Sequence, residues 1–169
     1  MKLKIRRLQS TDIGGVAKLL KEFHNETPNE YPVMDNDEIE RQLLAIISTI
    51  NDPRVLYLVA FDGKKMIGWF FGEVMTRVFG RPRVFGLARE LYVVPGKRGR
   101  GVAKKLMESA GQFAKEAGAE VLEQLGIPGS RSQQRWEKLG FRPYMVYGWM
   151  SFDQAEKFVE VEVEQRMSA

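Results

Sequence analysis

The sequence predicts a mixed α/β domain, and three observations predict it. Two helical apolar repeats precede Pro53, three strand-like runs follow between Val55 and Val94, and the apolar period then switches to that of a helix across a basic, glycine-rich turn. In chain order the elements read βααβββαβαβ. No internal repeat, low-complexity stretch or linker divides them, so a single domain over residues 1–169 is expected. A chain of this size buries roughly two-thirds of its unfolded surface.

Between Lys2 and Arg7, Leu3 and Ile5 alternate with Lys2, Lys4 and Arg6, the pattern of a strand with one buried face. Ser10, Thr11 and Asp12 then offer N-caps for a helix from about Asp12 to His24, with Ile13, Val16, Ala17, Leu20 and Phe23 on one face. The loop through Pro28 and Pro32 ends it. A second helix starts in the acidic stretch Asp35 to Asp37 and carries Ile39, Leu43, Ile46, Ile47 and Ile50 before Pro53. Val55 to Phe61 is a continuous apolar strand, Asp62-Gly63-Lys64-Lys65 a hairpin turn, and Met66 to Met75 the returning strand. Past Gly80 and Pro82, Val84 to Val94 forms the next strand.

Val102, Ala103, Leu106, Ala110, Phe113 and Ala117 line one face of a helix that Gly118 stops. Glu120 to Leu125 then reads as a short strand, Ser130 to Leu139 as a helix closed by Gly140, and Pro143 to Phe152 as a final strand. In the tail, 153–169, Val159, Val161 and Val163 alternate with glutamates, which suits an edge strand or an exposed helix.

Composition removes several kinds of chemistry. The chain has no cysteine and one histidine, which excludes disulfides, thiolate nucleophiles and cysteine-held zinc and leaves no histidine-based metal centre or triad to expect. The first residues, MKLKIRRLQSTD, lack an apolar leader, and no run approaches the roughly 18 apolar residues of a membrane span. A cytoplasmic protein without membrane contact is expected. The net charge of +4 is modest. Much of the basic excess lies in Lys97, Arg98, Arg100, Lys104 and Lys105, and Arg77, Arg81 and Arg83 form a second group.

The segment Leu91 to Leu106 carries the chemistry. Glycines at 99 and 101 remove side chains that would shield backbone N–H groups, and the helix after them points its unpaired N–H groups and positive dipole end at the same place. Arg98, Arg100 and Lys104 add full charges around this anion cradle. A Walker loop would need Gly-Lys followed by Ser or Thr, and a dinucleotide fingerprint would need an acidic ribose partner downstream; neither is present.

What the segment resembles is the Arg-x-x-Gly-x-Ala acyl-CoA signature of the GNAT superfamily, carried by Arg98, Gly101 and Ala103 after a Val-x-Pro strand end. Downstream, Trp136-Glu-Lys-Leu-Gly140-Phe141 is similar to that family's aromatic-x-Lys-x-Gly-Phe element. With the element order, the resemblance covers about Leu3 to Phe152. It implies a GNAT-type fold: a mixed, mostly antiparallel twisted sheet of six to seven strands, flanked by four helices, with two central parallel strands splayed apart.

The resemblance further implies acetyl-CoA as co-substrate and no metal. The pantetheine arm would run along Leu91, Tyr92, Val93 and Val94, with an N–H near Val93 on the thioester carbonyl. The diphosphate would sit on Arg98, Gly99, Arg100, Gly101, Val102, Ala103 and Lys104. Glu90 takes the position of the catalytic base and Glu73 is the reserve, although strand alternation would also allow Glu90 to pair with Arg89. Where many members carry a tyrosine as general acid this chain has Trp136, which has no useful labile proton; Tyr144 or Tyr147 could substitute, or water could serve. The asparagine frequent at the start of that helix is also absent, and Ser132 is the CoA contact expected there.

The acceptor is expected to be an amine of a small molecule or peptide, and its identity is not legible. Two other functions compete: a CoA-binding regulator that has lost its chemistry, motivated by Trp136, and a nucleic-acid-binding module built on Arg98 to Lys105. Nucleic acid is not the expected partner. A homodimer is one outcome if the alternating tail pairs with a second copy. His24 reads as a solvated or helix-capping residue, Trp69, Phe70 and Phe71 as core ahead of an aromatic acceptor pocket, Tyr31 and Met34 as either a border of the acceptor or an ordinary surface loop, and Arg77, Arg81 and Arg83 as a solvated basic loop.

Overall fold

The computed structural model describes residues 2–26, 36–124, 129 and 131–142. By its contacts the chain divides into two compact units, Met1–Ile127 and Pro128–Ala169. The first contains β1 (Leu3–Arg7), α1 (Ile13–Glu26), α2 (Asn36–Thr49), β2 (Val55–Asp62), β3 (Lys65–Thr76), β4 (Val84–Val93), α3 (Val102–Glu116) and β5 (Val121–Gln124). The second contains α4 (Arg131–Lys138). The expected final strand at 143–152 and the tail lie outside the described residues.

The five strands form one sheet in the order β1-β2-β3-β4-β5. Neighbours are antiparallel except β4 and β5, which run parallel. Helical repeats and strand runs fall where the apolar periods put them, with no end displaced by more than two residues. A short 3-10 turn, Ser10–Asp12, stands between β1 and α1, so Asp12 lies just ahead of the α-helix.

Each face of the sheet is covered. Val55, Tyr57 and Val59 of β2, Trp69 of β3 and Tyr92 of β4 join Val16, Leu19 and Leu20 of α1 and Ile39 and Ile46 of α2 in one cluster. On the opposite face, Leu56 of β2 and Phe70 of β3 border a small gap shared with Ala110, Phe113 and Ala114 of α3. Trp69 and Phe70 are thus both core, on opposite faces, as alternation requires. Among the described residues no helix is long and apolar enough to cross a membrane.

The entry to α1 is pinned by charge. Arg6 holds Asp12 with two hydrogen bonds, 2.6 and 2.8 Å, and the Gln9 N–H donates to the same carboxylate at 2.9 Å. The bonds from Arg6, assisted by that from Gln9, hold the Asp12 carboxyl below its ordinary range against the opposing effect of burial. Asp12→Ala is expected to cost roughly 2 kcal/mol at neutral pH, read by chemical denaturation. A depressed folded value means that this contribution is present above the ordinary value of 3.8 and is lost as pH falls through the folded one, so the difference between the two proteins should close in acid.

Candidate functional site

The site is built on a defect in β4. Its ladder with β3 pairs Ala88 with Gly72 and then Glu90 with Phe71, so Arg89 is an extra residue, a β-bulge that re-aims the side chains after it. Arg89 turns to solvent and forms an ion pair with Glu73. Glu90 and Tyr92 consequently face the α1–α2 layer: Tyr92 enters its apolar cluster, and Glu90 accepts a hydrogen bond of 3.0 Å from Nε2 of Gln42 on α2. The pairing of Glu90 with Arg89 that alternation allows is therefore not formed, and Glu73, the reserve base, has the arginine instead.

The second carboxylate oxygen of Glu90, Oε2, is buried without a hydrogen-bond partner. Burial raises the Glu90 carboxyl from its ordinary 4.5 to about 7, against the smaller opposing effects of the Gln42 bond and the Arg89 charge. Such a group changes protonation near neutral pH, as an acid–base catalyst must. Across the strand, Phe71 stacks on Tyr57 with ring centroids 4.9 Å apart.

Beside the bulge the sheet loses a neighbour. The parallel ladder with β5 ends at the Ala88–Gln124 pair, so among the described residues Glu90 to Val93 are paired with β3 alone. Among the described residues that length of β4 has no partner on its second edge.

β4 runs into the glycine turn. A 3-10 turn at Pro95–Lys97 uses the Lys97 N–H on Val94 O, 2.9 Å, and the Arg98 N–H on Pro95 O, 3.2 Å. Gly99 and Gly101 then adopt left-handed φ of 72° and 79°, which residues with a Cβ adopt only under strain. Gly101 caps α3, and its carbonyl takes the Lys105 N–H at 3.0 Å; the helix-end amides of Val102, Ala103 and Lys104 precede that bond. These amides and the exposed Arg100 and Lys104 lie together at the positive end of a 15-residue helix, an arrangement that suits an anion.

Arg98 is turned back onto β4 and α1. Its Nε donates to Val93 O at 2.7 Å, its Nη2 reaches Glu26 Oε2 at 2.6 Å, and its guanidinium lies 5.4 Å from the Tyr92 ring centroid. The Tyr92 hydroxyl donates to the other oxygen of Glu26 at 2.7 Å, and burial with this carboxylate pushes its pKa up. Lys97 is joined to Asp62 at 2.8 Å. The Arg98 side chain thus ties the turn to the end of α1.

Ser132 lies in the first turn of α4, in the second unit. Trp136, at the position of the usual tyrosine, is buried and meets Phe141 edge-on at 5.3 Å. Tyr31, Met34, Tyr144 and Tyr147 lie outside the described residues. Arg77, read as part of a solvated loop, is half-buried over the Phe85 ring at 4.4 Å and bonded to Glu123 at 2.5 Å, while Arg81 and Arg83 are exposed.

Two residues of the site are not marked as functional by the sequence. Gln42 sits three residues after Ile39 and four before Ile46, a polar residue inside an apolar stripe, and that misfit is the available signal. His24 comes four residues after Leu20 and is half-buried rather than solvated.

Comparison with known proteins agrees with this geometry. Residues 53–143 match the family described as Acetyltransferase (GNAT) domain. A bulged strand leading into an amide-lined turn, within that match, makes the protein an acyltransferase by class. The match spans more than half of the chain, which belongs to the GNAT acetyltransferase family. No curated protein sequence matches it.

Among solved structures, AAC(6')-Iy in complex with the bisubstrate analog CoA-S-monomethyl-acetylneamine is similar at 18% identity, TM-score 0.72, over 89% of this chain and 99% of that one. Glucosamine-6-phosphate N-acetyltransferase from Arabidopsis thaliana is similar at 17% identity, TM-score 0.66, over 90% and 99%. A predicted acetyltransferase with acetyl-CoA from Clostridium acetobutylicum is similar at 14% identity, TM-score 0.74, over 88% and 96%. At these identities the likeness establishes the fold.

Proposed function

We propose that the protein transfers an acetyl group from acetyl-CoA to a primary amine of a small molecule or peptide, with Glu90 as general base and the whole chain acting as one catalytic domain. The observation that carries the reading is a buried carboxylate, kept out of any ion pair by a bulge, on a strand that leads directly into an anion-binding turn. The chemistry of the turn fits a diphosphate: left-handed glycines with open space around them, a run of helix-end amides, and Arg100 and Lys104 alongside. The second edge of β4 from Leu91 to Val93 suits the amides of a pantetheine arm, which would pair with it as a further strand. The bound acyl-CoA supplies an electrophilic thioester carbon.

The residues of the chain do the rest. A strand N–H near Val93 polarises the thioester carbonyl where negative charge develops. Glu90, ionised, takes a proton from the acceptor's ammonium and leaves the amine lone pair free to attack. Trp136 offers no proton to the leaving sulfur; Tyr144 is the candidate donor within the chain, and Ser132 a further contact to CoA. Small-molecule amines are favoured as acceptors by the structural relatives that act on aminoglycosides and on glucosamine-6-phosphate.

The reading is tested by titrating CoA and acetyl-CoA calorimetrically and then measuring thiol release across a panel of amines. Saturable binding with amine-dependent release is expected. Binding without turnover on any amine would leave a CoA-binding regulator, and no binding at millimolar CoA would overturn the assignment of the turn.

A further inference from the structure

Among the described residues five side-chain polar atoms are buried with no hydrogen-bond partner, and three of them belong to adjoining side chains: Glu90 Oε2, Gln42 Oε1 and His24 Nε2. Orphaned buried polar atoms are rare, and three in one row call for one shared reason. The row crosses three elements. Gln42 of α2 donates to Glu90 of β4 at 3.0 Å, and the same side chain is near enough to His24 of α1 to influence its imidazole, although no hydrogen bond is formed between His24 Nε2 and Gln42 Oε1.

We propose that Gln42 and His24 are positioning residues for Glu90: His24 fixes which way round the Gln42 amide sits, and the amide N–H holds Oε1 so that Oε2 is presented to the acceptor amine. This rests on the reading of Glu90 as the base. A primary amide has a donor end and an acceptor end, and an amide free to turn would at times set its oxygen against the ionised carboxylate, where the two repel. A donor on its far side prevents that. Burial lowers the His24 pKa, more than the Gln42 contact raises it, so the imidazole is neutral at pH 7 and carries one N–H. Hydrogen-bond bookkeeping assigns that proton to Nε2, directed at Gln42 Oε1, because the amide's other end is committed to Glu90. The result is a chain of donors running from His24 through Gln42 to one oxygen of Glu90, leaving the other for substrate. Catalytic hydrogen bonds of this kind tighten when substrate is bound.

The other charged or titratable groups near the carboxylate are few. Arg89 is taken by Glu73, and Tyr57 of β2 has its hydroxyl 2.8 Å from Thr49 Oγ1. None of them bonds to Glu90, which leaves Gln42 as the group that orients it.

The test monitors the Glu90 carboxyl by 13C NMR in the full-length protein, assigned with Glu90→Gln, beside the pH profile of kcat/KM for an amine found in the panel. In the wild type both midpoints are expected at about 7. In Gln42→Leu the NMR midpoint should rise by about one pH unit, with the acid limb of the profile moving equally and the KM for acetyl-CoA unchanged. Gln42→Asn, which withdraws the donor by one methylene but keeps the site polar, should move both in the same direction and replaces the leucine variant if that fails to fold. His24→Ala should lower kcat about tenfold at constant KM, and His24→Gln, which restores a donor, should recover part of it. An unmoved NMR midpoint in folded Gln42 variants would overturn the positioning role. A midpoint that moves while the acid limb stays would keep the contact but remove Glu90 as base, and the catalytic proposal with it.

Discussion

Glu90→Gln is expected to lower kcat by about 10²–10⁴-fold while making the protein more stable above pH 7. The two effects share one cause. An amide of the same shape cannot accept the acceptor's proton, and it also carries no charge into a buried site. The sign of the stability effect is set by where the carboxyl titrates. Its folded value of about 7 lies above the ordinary 4.5, so the folded state binds the proton more tightly and wild-type stability falls as pH rises from about 4.5 to about 7. Above that window the ionised carboxylate costs at most about 3 kcal/mol relative to the unfolded chain. Denaturation at pH 8 should find the glutamine variant more stable by up to that amount, and at pH 5 by under about 1 kcal/mol. A variant of unchanged kcat, or one less stable than wild type at pH 8, would contradict the burial and the role assigned to this carboxylate. Residues that serve catalysis at the expense of stability commonly respond in this way.

Replacing Gly99 and Gly101 together by valine is expected to weaken CoA binding by on the order of 10²-fold. No neighbouring atom lies within 4 Å of a Cβ built at either position, so the loss would not come from a clash. It would come from φ of 72° and 79°, where a branched residue costs roughly 1–2 kcal/mol, and from side chains laid over the amides. Arg100→Ala and Lys104→Ala act through charge alone, so they should weaken binding only a few-fold, and less at high salt. Calorimetric titration of CoA at two ionic strengths separates these effects. A double-valine variant that binds CoA like the wild type would show that the diphosphate is held elsewhere.

Much of this architecture is legible without coordinates because it is written locally. The stripe Val16–Leu20, the hairpin at Gly63 and the change of period across Gly99 and Gly101 each depend on residues a few positions apart, and helix and sheet appear where those patterns put them. What could not be read is long-range. The bulge at Arg89 exists only in the register between β3 and β4, and without it Glu90 has no fixed direction. Gln42 and Glu90 are 48 residues apart, and Arg98 finds Glu26 across 72. A motif displays Arg98 as a free cation beside a phosphate turn; only the folded chain reveals that its charge is already answered. The Trp136 substitution is visible in both, and the residues that would compensate for it fall outside the described part of the structure.

Glu26 holds the Tyr92 hydroxyl with one oxygen and the Arg98 guanidinium with the other, two residues beyond His24 on the same helix. The glycine turn and the strand that carries Glu90 are thereby fastened to a common carboxylate. Removing Glu26 would therefore be no local change: it would release the Arg98 guanidinium and the Tyr92 hydroxyl together.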